Sequence, residues 1–393
     1  MSPVEKTAAS TNDPYLAVHN LGLLQQQAGV DPEVAELVCA YARMRADAGK
    51  PLVFYNESAS IRRLSRSVFH RRFIQKNRNM DPRFLDFLVR YANTMAGRGL
   101  PIIYSVDHLA AKRRMSGNRL HWMARNQKRF YTEFQIPKSN GERRTILAPN
   151  GALRTQQEWI LRRILNGRTS HPCAFGFVPG RSIVGNARRH TGRDVVVRID
   201  LKDFFPTITH REVRKVFERL GYPYRVANLL ANLCTVDGRL PQGAPTSPSL
   251  SNLVCQKLDR RFAGLRKKLK FCYTRYADDL IFSSNNPRLP SLIPFFKEVI
   301  RNEGFEVNDA KVRIMRQGQR QKVTGVVVNR KPNVSREQRR LLRAALHRLK
   351  TQGPDAVVLK SRKPDADPLA VLQGHLSFQN MVRRAGTQIT AKA

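Results

Sequence analysis

The chain has 393 residues and 41% hydrophobic content, enough for a sizeable core and, by length, two or three folded units. Lysine and arginine number 70 against 30 acids, a net charge of +40 that exceeds a solvated face and calls for a polyanionic partner. No run of about 18 apolar residues and no secretory h-region is found, which argues against a membrane partner and for a cytoplasmic location. The five cysteines (Cys39, Cys173, Cys234, Cys255, Cys272) lack metal-site spacing and read as reduced, buried thiols.

In chain order, residues 1–20 read as disordered and 21–60 as small helices. Asp31-Pro32-Glu33 supplies an N-cap, a first-turn proline and an early acid. A basic block starts at Ile61. Residues 61–130 hold 17 basic and 3 acidic residues, whereas 1–60 hold 4 and 7. Ile61, Leu64 and Val68 alternate with arginines at helical spacing, either as a solvated basic face or as an RNA-backbone contact. Asp81-Pro82 opens a helix with Phe84, Leu85, Leu88 and Tyr91 on one face, closed by Gly97. Phe134–Ile146 reads as a hairpin around Asn140-Gly141, the composition of a two-residue turn.

Three segments then carry chemistry. Val195–Ile199 is a β-branched run that delivers Asp200 at its end. Leu240–Asn252 places Gln242-Gly243 between proline turns, ahead of a helix. Phe271–Ser284 reads as strand, tight turn, strand, with Asp278 and Asp279 at the turn. Asp-Asp alone is common in surface turns. With Asp200 added, the carboxylates suit hard cations such as Mg²⁺, and two ions about 3.5–4 Å apart can clamp the attacking and leaving oxygens of phosphoryl transfer. Ser335–Lys350, with Ser335 as N-cap, and Pro368–Arg384 read as helices, joined by a loop over Thr351–Asp367.

The order Asp200, Gln242-Gly243, Tyr276-Ala277-Asp278-Asp279 resembles reverse transcriptases. Asn186-Ala-Arg-Arg-His190 and Val323-Thr324-Gly325 resemble two signatures of the retron branch. The resemblance runs from about Leu100 to 385. It implies an α+β right-hand polymerase: a helical basic N-terminal extension (1–97), fingers (98–190), a palm of antiparallel sheet plus helices (191–329) and a helical thumb (330–393).

Carried over by position, Asp200, Asp278 and Asp279 are the catalytic and metal residues for two Mg²⁺ ions, Asp279 being a weaker ligand or a group behind the ligands. Lys138, Arg144, Asp203, Phe205 and Gln242 are the nucleotide-binding set. Phe205 is placed to exclude a ribose hydroxyl, or else is a core aromatic. Asp203 helps at the triphosphate or is a turn residue. Asn186, His190, Val323, Thr324 and Gly325 are the RNA-binding set. For Asn186 and His190, a polar pair bracing a loop is the competing account. Thr324 and Gly325 are expected in a strand region.

The resemblance further implies a structured noncoding RNA as template and primer, dNTP substrates, a single-stranded DNA product branched from an internal guanosine 2′-hydroxyl, and an effector protein in anti-phage defence. Other bacterial reverse transcriptases, of group II intron or diversity-generating type, and a catalytically inactive RNA-binding scaffold are the alternatives. No Cys/His-bearing tail follows the last expected helix, which turns the expectation away from intron enzymes.

Overall fold

The computed structural model describes residues 82–137, 141, 143–357, 359 and 366–390. The expected elements before Pro82, the start of the basic block from Ile61 to Asp81, and Lys138 and Asn140 lie outside the described residues.

In chain order the elements are α1 Pro82–Gly97, α2 Val106–Lys112, α3 Gly117–Arg125, β1 Tyr131–Pro137, β2 Arg143–Pro149 and α4 Gly151–Ile160, which runs on as a π turn over Leu161–Leu165. Then come α5 Ile183–Arg188, β3 Val195–Asp200, α6 Phe204–Thr207, α7 His210–Leu220, α8 Tyr224–Cys234, α9 Ser247–Val254 and α10 Gln256–Lys268. The chain continues through β4 Cys272–Tyr276, β5 Asp279–Ser284, α11 Ile293–Asn302, β6 Arg313–Arg316, β7 Lys322–Val323, β8 Val326–Val327, α12 Arg336–Gln352 and α13 Pro368–Thr390. Antiparallel sheets and helices together give the α+β class expected from the sequence.

Local chemistry explains several boundaries. Ser105, Ser116, Ser182 and Ser335 each accept a backbone N–H at the start of a helix. Thr209 and Glu212 form a reciprocal capping box on α7, and Gly221, at φ 108°, ends that helix in the left-handed region.

Two compact units emerge. The first comprises the described residues up to Arg168 together with Ile208–Leu250. Its core holds Tyr91, Met95, Leu120, Met123, Phe217 and Leu230, all buried. The buried Tyr91 hydroxyl donates to the Ile103 carbonyl at 2.8 Å, and the Gln157 amide donates to the Tyr131 hydroxyl and the Leu233 carbonyl, both at 2.8 Å. The β1–β2 hairpin belongs here. Its register runs from Tyr131 opposite Pro149 to Pro137 opposite Arg143.

The second unit comprises Thr169–Thr207 and the chain from Ser251. Its four-stranded antiparallel sheet has the order β4-β5-β3-β6. Side chains alternate faces along a strand. On one face, Phe282 packs against Phe262 of α10 and Phe296 of α11, with ring centroids 5.0 and 4.2 Å away. On the other, Val196 and Ile281 join Val184 and Ala187 of α5, Val323 and Val326 of the β7–β8 hairpin, and Val382 of α13. The last two long helices match the expected pair. Leu342, Ala345 and Leu372 form a small core of their own with Val357.

One placement differs from expectation. Thr324 and Gly325 are not in a strand but form the two-residue turn between β7 and β8, where Val323 pairs with Val326. Their φ values are 45° and 89°. A tight hairpin turn with both central residues left-handed matches the strand twist, and glycine supplies the second at no steric cost.

Candidate active site

Strand β3 is buried except at Arg198 and ends on Asp200. Register places Asp200 directly opposite Asp279, the first residue of β5. Tyr276 pairs with Asp279, which leaves Ala277 and Asp278 as a two-residue turn. The Leu201 N–H donates to the Asp278 carbonyl at 3.0 Å, tying the end of β3 to that turn. The three acids expected at the site therefore meet at one end of one sheet.

They are not equivalent. Arg198 lies two residues before Asp200 and on the same face. Its Nε and Nη2 donate to Oδ1 and Oδ2 of Asp279 at 2.7 and 2.9 Å. Burial pushes the Asp279 carboxyl up to about 6; Arg198 opposes this, and the neighbouring Asp278 and Asp200 add to it. Both Asp279 oxygens thus accept from Arg198, an arrangement in keeping with the expectation of a weaker ligand or a group behind the ligands. Lys311 donates to Oδ2 of the buried Asp200 at 3.0 Å.

Among the described residues, no group of three or more His, Cys, Asp or Glu side chains is arranged to hold a metal ion. Asp200 and Asp278 nevertheless offer hard oxygens from a strand end and its tethered turn. That donor set suits Mg²⁺, which takes one or two carboxylates and completes its shell with water and substrate phosphates.

Asp203 and Phe205 follow in the same unit. Asp203 is exposed with φ 43°, and its carbonyl accepts the Thr207 N–H at 2.9 Å. Phe204 is buried and stacks on Phe305 with centroids 6.0 Å apart. Phe205 is half-buried, and its ring lies 6.1 Å from that of Phe177. Phe177 is 44% exposed and holds φ 59°. An exposed aromatic in the left-handed region is uncommon. Of the nucleotide-binding set, Gln242 and Arg144 belong to the first unit. The Gln242 carbonyl accepts the Leu147 N–H of β2 at 2.8 Å. Gly243 has φ 125°, and a Cβ there would meet the Ile146 side chain and the Leu147 carbonyl at 2.8 Å, so only glycine lets β2 approach. Arg144 is exposed on β2, whereas its neighbour Arg143 donates to Gln135 at 3.4 Å.

The RNA-binding set is placed differently. Asn186 and His190 are both 0% exposed. One nitrogen of His190 bonds Ser283 Oγ of β5 and the other Thr274 Oγ1 of β4, each at 2.7 Å. Burial, then Arg193 and Arg189, lower its pKa to about 3, so the ring is neutral. Asn186 has both amide atoms buried with no hydrogen-bond partner. Val323 is buried in the core. The expectation that these three side chains touch RNA is corrected: they are enclosed by protein, and His190 braces α5 against the sheet. Thr324 donates to the Ile183 carbonyl at 2.9 Å, and Gly325 is exposed at the turn tip.

Sequence reasoning missed Arg198, Lys311 and Phe177. Alternation along β3 could have flagged Arg198, since positions 198 and 200 share a face. No local pattern marks Lys311, which is 111 residues from Asp200.

The sequence has clear relatives. The family described as reverse transcriptase (RNA-dependent DNA polymerase) matches residues 136–328. The chain is 37% identical over 316 residues to the Retron Mx162 reverse transcriptase of Myxococcus xanthus, covering 70% of this chain and 64% of that protein. It is 43% identical over 242 residues to the Retron Mx65 reverse transcriptase of the same organism, covering 57% of each. To the Retron Ec86 reverse transcriptase of Escherichia coli it is 38% identical over 223 residues, covering 56% of this chain and 70% of that protein. The chain thus spans somewhat less than two thirds of either Myxococcus relative. With identity at this level over more than two thirds of a relative's length, and the acids of its motifs gathered at one sheet end, the chain belongs to the retron-type reverse transcriptases.

Proposed function

We propose that this chain is the RNA-directed DNA polymerase of a retron. The observation that supports it most is the meeting of Asp200, Asp278 and Asp279 at one end of the four-stranded antiparallel sheet in a member of this family. Asp200 and Asp278 would hold two Mg²⁺ ions. When bound, such ions lower the pKa of the attacking hydroxyl and neutralise charge on the departing pyrophosphate. Arg198 keeps Asp279 oriented behind the turn. Phe205, braced by Phe177, closes the space beside the sugar 2′ position and selects deoxynucleotides. Lys138 and Arg144 grip the triphosphate, for which a guanidinium is well shaped. Gln242 supports the incoming nucleotide, and Asp203 assists at the triphosphate.

The substrate proposal is one structured noncoding RNA that serves as template and supplies an internal guanosine 2′-hydroxyl as primer. The product is a short multicopy DNA joined through a 2′,5′ branch, serving with an effector protein in anti-phage defence. An excess of 40 positive charges supports a polyanionic partner of this size. The division into extension, fingers, palm and thumb at residues 97, 190 and 329 is part of the same proposal, as is a cytoplasmic location.

Two assays test it. Purified protein should extend a DNA primer annealed to an RNA template, with Mg²⁺ and dNTPs. No extension would leave only an RNA-binding scaffold. Co-expressed with the RNA transcribed beside its gene, the protein should yield DNA that a debranching enzyme separates from RNA. DNA made solely from 3′ ends would reject the retron product while keeping the polymerase.

A further inference from the structure

The turn that carries Asp278 is strained. Ala277 has φ 56°, a conformation that L residues rarely adopt and that persists only where the surroundings impose it. Those surroundings are unusually polar for a core. Arg275 and Asp259 are both 0% exposed and form a two-pronged ion pair, Nε to Oδ1 at 2.9 Å and Nη2 to Oδ2 at 2.7 Å. The Tyr273 hydroxyl donates to the same Oδ1 at 2.8 Å. One guanidinium nitrogen remains, and Nη1 donates to the Ala277 carbonyl at 3.2 Å.

The opposite side of the turn is gripped by backbone. The Arg275 N–H donates to the Cys173 carbonyl at 2.8 Å, and the Phe175 N–H to the Arg275 carbonyl at 2.7 Å. A Cβ on Gly176 would lie 2.6 Å from the Ala277 nitrogen, so glycine alone allows this approach. Asn252 fixes Gly176 by donating to its carbonyl at 2.8 Å.

A buried ion pair is a poor means of gaining stability, because desolvation offsets its attraction and an apolar set of similar volume often does as well. What an apolar set lacks is a donor for Ala277. Lysine lacks the planar fork that reaches a carboxylate and a carbonyl together. We propose that Arg275, anchored by Asp259, is a positioning residue that sets the Ala277-Asp278 turn and so places the Asp278 carboxylate. The proposal rests on the reading of Asp278 as an ion-holding group.

The test replaces the buried polar set as a whole, with Arg275→Met/Asp259→Leu/Tyr273→Phe, and separately makes Arg275→Lys. Melting temperature, kcat and KM for dNTPs are measured, together with Mn²⁺ binding to the free protein by electron paramagnetic resonance. The expected result for the triple variant is a melting temperature close to wild type and a kcat lower by about 100-fold, as for a catalytic group displaced by about 1 Å. KM stays within about twofold, and Mn²⁺ affinity falls by about tenfold. Arg275→Lys should lower kcat in the same sense, and it decides the matter if the triple variant does not fold. A folded variant with wild-type kcat and Mn²⁺ affinity overturns the proposal. A wild-type protein that binds no Mn²⁺ and extends no primer overturns the reading of Asp278 instead.

Discussion

The two ends of the β4-β5-β3 sheet treat their polar residues in opposite ways. At the Asp200 end, Asp278 in a tight turn and Asp279, clasped by Arg198, sit half-exposed, while the buried Asp200 pairs with the exposed Lys311. At the other end, the signature residues Asn186 and His190 are fully enclosed, and His190 spends both ring nitrogens on Ser283 and Thr274. Two motifs equally specific in sequence thus differ in kind. One gathers charge at a strand end and its turn. The other holds a helix onto the sheet.

The sharpest way to break this contrast is Asp278→Asn. Several kcal/mol of transition-state stabilisation should go with the charge, so primer extension falls by about a thousandfold. A half-exposed polar change moves stability by only about 0.5 kcal/mol. Primer extension and thermal melting on one preparation check both halves. A comparable loss of stability would make Asp278 architectural too.

His190→Leu should show the reverse. It leaves the buried Thr274 hydroxyl without its His190 partner, at about 1–3 kcal/mol, and removes one bond from Ser283, which keeps Cys272. Denaturant unfolding should report the loss, while extension of a generic primer persists below the new melting temperature. Unchanged stability would remove the bracing role.

Arg198→Met sharpens the comparison within the charged end. Releasing Asp279 should lower kcat by about tenfold and raise the Mg²⁺ requirement, as loss of a supporting partner does elsewhere. A Mg²⁺ titration of primer extension reads this directly.

The smallest effect is a pH slope. His190 stays neutral in the fold down to about 3, against 6.5 for an ordinary histidine. Between those values the unfolded chain binds a proton that the native chain does not. Stability from this group is therefore complete above pH 6.5 and falls as pH drops, by about 1.4 kcal/mol per unit. His190→Gln should flatten the slope of unfolding free energy between pH 6.5 and 5 by that amount. His108, lowered to about 4 by burial and Lys112, stays in both proteins and cancels in the difference.

Sequence by itself determined the strand-turn-strand around Asp278, the buried strand ending on Asp200, the β1–β2 hairpin and the capped helix after Ser335. Each is local: β-branched runs, a two-residue turn and a serine cap act over a few residues, where the chain's own periodicity decides. The family signatures were legible for the same reason, as short contiguous strings. Only the tertiary structure decided what those strings face. Burial of Asn186 and His190, the clasp of Arg198 on Asp279, Lys311 on Asp200 and the Arg275–Asp259 pair under Ala277 all depend on segments brought together from distant parts of the chain. A motif lists its side chains, but whether each meets solvent, a counter-charge or a hydroxyl is set by packing, and that packing separates a residue that holds a ligand from one that holds the fold.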